Sequence, residues 1–244
     1  MDAADLAACL TRALGLSFGV RPILRGIDLT ADAGHGIAIV GANGCGKSTL
    51  VRILAGLAAP TAGAAFVFGE DSRRLSAASR RRIGLLTHQS FLYPNLTARE
   101  NLEFHSRIRG IDRPREAAIA ALGRVGMSSI ADDRVRTVSR GMEQRLAIAR
   151  ATIADPDLLL LDEPFAALDR DGAAIVRDLI GDSLKRGAAV IVTAHTVDGL
   201  EALGLAPFEL INGKLRSIPA ESPQPAQSSQ AGGLSLARRT TAGR

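Results

Sequence analysis

The run Gly41-Ala42-Asn43-Gly44-Cys45-Gly46-Lys47-Ser48-Thr49 constrains this chain more than any other feature. It follows Ile37-Ala38-Ile39-Val40, which is apolar on both faces as a central strand between two layers must be. A helix is predicted after it, from Lys47 to about Leu57. A strand that turns through glycines into a helix N-terminus is a phosphate cradle. Glycines let backbone N–H groups converge on one anion with no Cβ in the way, and the helix presents its positive end. Gly41, Asn43, Gly44 and Gly46 then shape the loop and Lys47 reaches the outer phosphates. The Ser48 hydroxyl, with Thr49 beside it, completes a Mg²⁺ shell. A glycine turn that merely joins strand to helix is the plainer alternative; the buried strand before it and the helix after it favour the cradle.

A second apolar run, Leu158 to Leu161, ends in Asp162-Glu163-Pro164. Open parallel sheets bind ligands at the C-terminal ends of their strands. At such an end Asp162 holds Mg²⁺ and Glu163 polarises an attacking water as general base. Asp-Glu-Pro can also be no more than the start of a helix, where carboxylates suit the N-terminal end. Paired with the phosphate loop, that alternative recedes.

Between and around these motifs the pattern alternates strand and helix. A first strand ends near Phe18, a second covers Leu24 to Thr30, and later strands are expected at 158–161 and 189–192 with a helix from about Asp171 to Lys185 between them. The alternation predicts a layered α/β core with a parallel sheet. Residues 97–125 carry helical spacing with a break at Arg113-Pro114, so the chain leaves the sheet there for a helical insertion. Near the end, Asn212-Gly213 between two apolar runs predicts a tight hairpin. From about residue 218 Pro, Ser, Gln and Gly dominate, a composition that buries too little surface to order itself. We therefore expect one nucleotide-binding domain over residues 1–217, its helical part at approximately 92–150, and a disordered tail over 218–244.

The net charge of +5 raises the possibility of a nucleic-acid partner. One basic cluster is Arg73, Arg74, Arg80, Arg81 and Arg82, and another is Arg238, Arg239 and Arg244 in the tail. Neither has interleaved aromatics for base stacking, and only 3% of the chain is aromatic, so no nucleic acid is expected. No stretch approaches the roughly 18 to 20 apolar residues of a membrane span, and the opening Met1-Asp2-Ala3-Ala4-Asp5 is acidic where a secretory leader is basic. A cytoplasmic location follows as the expectation. Cys9 and Cys45 are expected to be reduced, since a crosslink at Cys45 would obstruct the phosphate loop.

Taken in order, these motifs resemble those of the ATP-binding cassette ATPases over residues 6–217, which are P-loop NTPases with a mixed, largely parallel core sheet, antiparallel N-terminal strands and a helical insertion. Beyond the two motifs above, Gln89 in Thr87-His88-Gln89-Ser90 is similar to the family's glutamine, which senses Mg²⁺ and water. Val138-Ser139-Arg140-Gly141-Met142 stands where the family carries its signature. Asp169 matches the D-loop, His195 the switch histidine near the γ-phosphate, and Phe18 the aromatic that stacks on adenine. Singly each has a plain structural explanation: Ser139 also reads as an N-cap, His195 as an ordinary residue after a strand. Their shared order is what carries the resemblance.

The signature departs from the common Leu-Ser-Gly-Gly-Gln at Arg140 and Met142, while Ser139 and Gly141 remain. The resemblance implies ATP and Mg²⁺ as ligands and Glu163, His195 and Gln89 as catalytic groups. It also implies a second, identical subunit whose Ser139 and Gly141 close over the phosphates. Transmembrane transporter subunits would hold the pair at the cytoplasmic face of the inner membrane, as a peripheral component. The run Thr87 to Phe104 and the run Leu161-Asp162-Glu163-Pro164-Phe165 to Asp169 further resemble the ATPase subunits of the haem exporters of cytochrome c maturation. The Ser-Arg-Gly-Met signature is also found in ABC-2-type exporters of drugs, lipids or polysaccharides. A nucleic-acid-associated ATPase and a small P-loop kinase are further alternatives; the kinase leaves the segment Ser139 to Arg145 unexplained.

Overall fold

Alternation decides the core. In the computed structural model, which describes residues 7–197 and 200–219, successive residues of the central strands point into two different hydrophobic clusters. Leu158 and Leu160 enter one, with Ile37, Ile39 and Ile191; Leu159 and Leu161 enter the other, with Ala38, Val190 and Val192. A sheet covered on both faces requires this, and it explains strands with no polar side.

The chain begins with two long antiparallel strands, β1 (Ala7–Phe18) and β2 (Arg21–Asp32), and then enters the core with β3 (Gly36–Val40). Helix α1 (Lys47–Leu54) follows the glycine loop, three residues shorter than the predicted end at Leu57. Strands β4 (Ala62–Val67) and β5 (Glu70–Asp71) return to β1, completing a four-stranded antiparallel sheet in the order β2-β1-β4-β5. After the short α2 (Ala77–Arg81), β6 (Ile83–Leu86) joins the core sheet. Neither β4 nor β6 was legible in the sequence: β4 is rich in Ala and Gly, and β6 has only four residues.

The excursion out of the sheet consists of α3 (Ala98–Arg109), α4 (Pro114–Arg124) and α5 (Arg140–Thr152). Thr97 and Glu100 close a capping box at the start of α3, and Gly110 ends it in the left-handed conformation. Pro114 opens α4, where its missing N–H costs nothing. The chain re-enters the core with β7 (Leu158–Asp162), α6 (Arg170–Lys185) and β8 (Ala189–Ala194), and ends in the hairpin β9 (Ala206–Ile211) and β10 (Lys214–Ser217). Asn212 and Gly213 both take positive φ, 49° and 75°, as a tight two-residue hairpin demands.

The six-stranded sheet runs β10-β9-β3-β8-β7-β6, parallel except for β10. Arg25 N–H donates to Gly213 O at 2.7 Å, tying the antiparallel sheet to the hairpin. The loops after β3, β6, β7 and β8 therefore emerge at one edge, where all four sequence motifs meet. Ile218 N–H still bonds Pro207 O, so the ordered hairpin reaches one residue past the expected boundary. The rest of the tail, with Arg238, Arg239 and Arg244, and the acidic opening residues lie outside the described residues. Among the described residues no helix is long and apolar enough to cross a membrane.

Candidate functional site

The phosphate loop turns as its glycines predict. Gly46 caps α1 at φ 114°, and a Cβ there would stand 2.9 Å from Leu24 Cδ2, so both the conformation and the space exclude a side chain. Lys47 is buried and folds back across the loop, its Nζ donating to Gly41 O at 2.6 Å and Ala42 O at 3.2 Å. The same Nζ lies 3.8 Å from Glu163 Oε1. The loop is thus held in the curvature of a cradle by its own lysine.

Two adjoining clefts flank this loop. The smaller, about 210 Å³, is lined by Asn43, Gly44, Lys47, Thr49 and Phe18, a residue 67% exposed at the end of β1. An exposed aromatic beside a phosphate cradle offers a face on which a base can stack. The larger cleft, about 260 Å³, runs from Ser48, Asp162 and Glu163 to Thr87, His88, Ser90 and the start of α5 at Arg140.

Asp162 and Glu163 end β7 with different environments. Asp162 is buried and accepts a 2.6 Å hydrogen bond from Thr193 Oγ1 on the neighbouring β8. Glu163 leaves the strand at φ 51°, a conformation few non-glycine residues adopt. Its N–H donates to both Thr193 Oγ1 and Thr193 O, each at 3.1 Å, and Gln144 Nε2 donates to Glu163 O at 3.4 Å and Pro164 O at 3.3 Å, which holds it there. The strained turn swings the carboxylate out, so that Oε1 also lies 3.4 Å from His195 Nε2. Backbone strain enforced by surrounding hydrogen bonds is common where a side chain must be aimed.

The remaining expected residues divide. Ser139 caps α5, its Oγ accepting from Met142 N–H at 3.3 Å, and Gly141 is forced by packing, since a Cβ would come 2.8 Å from Ala167 O. Asp169 caps α6 through Gly172 N–H at 2.8 Å. Neither Ser139 nor Asp169 lines the clefts of its own chain. Gln89 is exposed; its backbone is bonded to Thr87 Oγ1, and the wall of the larger cleft is made instead by its neighbours His88 and Ser90. Sequence reasoning missed Thr193, Gln144 and the pair in which Ser90 Oγ donates to Glu143 Oε1 at 2.7 Å. Only their adjacency to the motifs could have drawn notice.

The donors available suit a nucleotide with a hard cation. No cluster of three His, Cys, Asp or Glu among the described residues could hold a metal alone. Ser48 and Asp162 supply oxygens only, which fits Mg²⁺ completing its shell from phosphates and water.

Comparison with known proteins accords with this geometry. A sequence profile described as ABC transporter matches residues 24–166. The cytochrome c biogenesis ATP-binding export protein CcmA of Cupriavidus pinatubonensis is 35% identical over 182 residues, covering 75% of this chain and 80% of the relative. The ABC transporter ATP-binding protein NatA of Bacillus subtilis is 37% identical over 183 residues, 74% of each chain. Among solved structures, a dimeric, post-hydrolysis ATP-binding cassette bound to ADP and Pi superposes with a TM-score of 0.77 at 25% identity, over 86% of this chain and 98% of that one.

Proposed function

This chain belongs to the ABC transporter ATP-binding family, and from that premise we propose that it is the ATP-hydrolysing subunit of a membrane exporter, with haem export for cytochrome c maturation as its role. Binding and hydrolysis of ATP belong to the family. The observation that carries the site assignment is the position of Glu163 Oε1 between Lys47 Nζ and His195 Nε2, at the mouth of the cleft that Ser48 and Asp162 line.

In the proposed mechanism Phe18 stacks on the adenine and the loop N–H groups with Lys47 hold the β- and γ-phosphates. Glu163 accepts a proton from water as its oxygen attacks the γ-phosphorus, and the bond to the bridging oxygen of ADP breaks, releasing phosphate. His195 contacts the γ-phosphate and steadies Glu163. Mg²⁺, held by Ser48 and Asp162 with Gln89 closing in, would neutralise charge on the phosphates. Ser139 and Gly141 of a second copy complete the site. Their exclusion from the clefts of their own chain, together with the dimeric form of the solved relative, supports a head-to-tail homodimer.

The residues over 1–217 act as one nucleotide-binding domain, its helical part at approximately 92–150, with the segment from Leu92 to about Val125 facing the transmembrane subunits at the cytoplasmic side of the inner membrane. Likeness to CcmA and the runs Thr87–Phe104 and Leu161–Asp169 support haem export. The Ser-Arg-Gly-Met signature and the likeness to NatA favour a second reading, another ABC-2-type exporter. Purifying the complex and identifying its membrane subunits separates them: haem-export subunits support the first, drug, lipid or polysaccharide permeases the second.

A further inference from the structure

Most polar side chains in the wall of the larger cleft are already engaged within the chain. Asp162 accepts from the Thr193 hydroxyl, and Glu163 lies against Lys47 and His195. Gln144 donates to the Glu163 and Pro164 carbonyls. The Thr87 hydroxyl bonds both backbone groups of Gln89, and the Ser90 hydroxyl donates to Glu143. Three side chains of the wall, Ser48, His88 and Arg140, make no side-chain hydrogen bond or ion pair among the described residues. Ser48 has its place at Mg²⁺ in the proposed mechanism. His88 and Arg140 have none.

Arg140 is also where this chain departs from the common signature, which carries a glycine there. The stability of α5 does not account for it. Arg140 is the first residue of that helix, after the Ser139 cap, and a cation at a helix N-terminus opposes the helix dipole. Its nearest acid in the helix, Glu143, is turned to Ser90 instead. The flanking residues are directed elsewhere: Ser139 Oγ accepts from Met142 N–H, and Gly141 is pressed against Ala167 O. Ser139 and Gly141 lie outside the clefts of their own chain, whereas Arg140 between them lines the larger one.

Strand order gives that cleft a direction. In the core sheet β7 stands between β8, with β3 beyond it, and the edge strand β6. Ser48, after β3, therefore approaches Asp162 and Glu163 from one side, and His88, after β6, from the other. A phosphate cut from ATP beside Glu163 has a space of about 260 Å³ open to it, with two unpartnered donors in its wall. The guanidinium presents a planar fork that matches two phosphate oxygens, and an imidazole in either tautomer offers an N–H.

We propose that Arg140 and His88 form a product site, which receives the inorganic phosphate released beside Glu163 of the same chain and holds it before it leaves. The proposal rests on the ATP-hydrolysing reading and deepens it. Ser139 and Gly141 serve the nucleotide of the second copy, while Arg140 serves the product of its own.

The test titrates inorganic phosphate by calorimetry onto the full chain loaded with ADP and Mg²⁺, at concentrations where sedimentation shows the monomer. Arg140→Gln removes the charge and should weaken phosphate binding about tenfold or more, as loss of a charge-assisted hydrogen bond does. Arg140→Lys should retain most of the affinity, and His88→Ala should lose less than Arg140→Gln, with melting curves showing every variant folded. No phosphate binding, or binding that Arg140→Gln leaves unchanged, overturns the proposal. So does Arg140-dependent binding seen in the dimer alone. ATP hydrolysis is followed in parallel through ADP production. If Arg140→Gln raises the ATP concentration needed for half-maximal rate yet spares phosphate binding, the side chain serves the γ-phosphate of the second copy and the product site fails. A chain that hydrolyses ATP without Arg140-dependent phosphate binding sinks only the product site; a chain that does not hydrolyse ATP sinks the reading on which it rests.

Discussion

Glu163 and His195, thirty-two positions apart on adjacent strand ends, meet with Oε1 and Nε2 3.4 Å apart, and the same Oε1 lies 3.8 Å from Lys47 Nζ. One carboxylate oxygen thus links the loop after β3, the end of β7 and the end of β8. If it serves as general base, Glu163→Gln should lower phosphate release by at least ~100-fold, within the range expected of a base, while nucleotide binding persists. Hydrolysis at the unaltered rate would remove Glu163 from that role.

Completion of the site by a second copy makes a complementation prediction. Ser139→Ala and Glu163→Gln should each be inactive alone. Mixed in equal amounts, they form dimers with one site that joins an intact Glu163 to an intact Ser139. The mixture should therefore hydrolyse ATP faster than either variant, as read by phosphate release against protein concentration. A mixture no faster than its components would argue for sites complete within one chain.

Thr193 donates its hydroxyl to buried Asp162 at 2.6 Å and also accepts from Glu163 N–H. Thr193→Val removes the hydroxyl partner of Asp162 at nearly constant volume, while Glu163 N–H keeps its bond to Thr193 O. A loss of about 1–3 kcal/mol in denaturant unfolding is expected, together with a higher Mg²⁺ concentration needed for half-maximal hydrolysis, and Thr193→Ser should restore both. Unchanged stability would mean that solvent replaces the bond.

The same substitution at two glycines should act in opposite directions. At Gly84 in β6 a Cβ would lie 2.4 Å from Ala151 O and 2.7 Å from Pro156 Cγ, so Gly84→Ala should cost about 1–3 kcal/mol by overpacking. At Gly181 in α6 a Cβ meets nothing within 4 Å, so Gly181→Ala should stabilise by up to about 1 kcal/mol through helix propensity and chain entropy. Thermal melts of the pair decide it; equal shifts would refute the packing argument.

His105 gives the fold a pH dependence. Its proton affinity is lowered on folding by burial, then by Arg150 on α5 and Arg109 on its own helix, against the bond to Phe91 O from the preceding loop. The unfolded chain therefore binds more protons between about pH 6.5 and pH 4. The neutral ring's contribution is complete above that window and declines as pH falls through it. Melting temperatures should drop less steeply from pH 7 to 4.5 in His105→Gln than in the parent; parallel slopes would rule the histidine out.

Much of this protein was legible before any coordinates. The run Gly41–Thr49 after a buried strand needs glycines, Lys47 and Ser48 at set spacing, and the four-residue apolar runs of β7 and β8 admit only a two-sided sheet. Those are local signals: they depend on residues a few positions apart, and they determined the α/β class, the phosphate loop and the end of β7 as the chemical edge. Other features depend on which distant residues become neighbours. Thr193 acquires its role only because β8 lies beside β7, and Gln144 only because α5 docks under the turn at Glu163. Gln89 was read by resemblance as sensing Mg²⁺ and water; in this structure its backbone is bonded to Thr87 Oγ1, its side chain is exposed, and His88 and Ser90 form the cleft wall. The cluster of Arg109, His105 and Arg150 joins two helices about forty residues apart, and no periodicity in the sequence links them. Sequence alone determined most of the elements and the chemistry each motif carries; the packing of α3 on α4 and α5, and of α5 on the edge strand β6, decided which distant charges become neighbours.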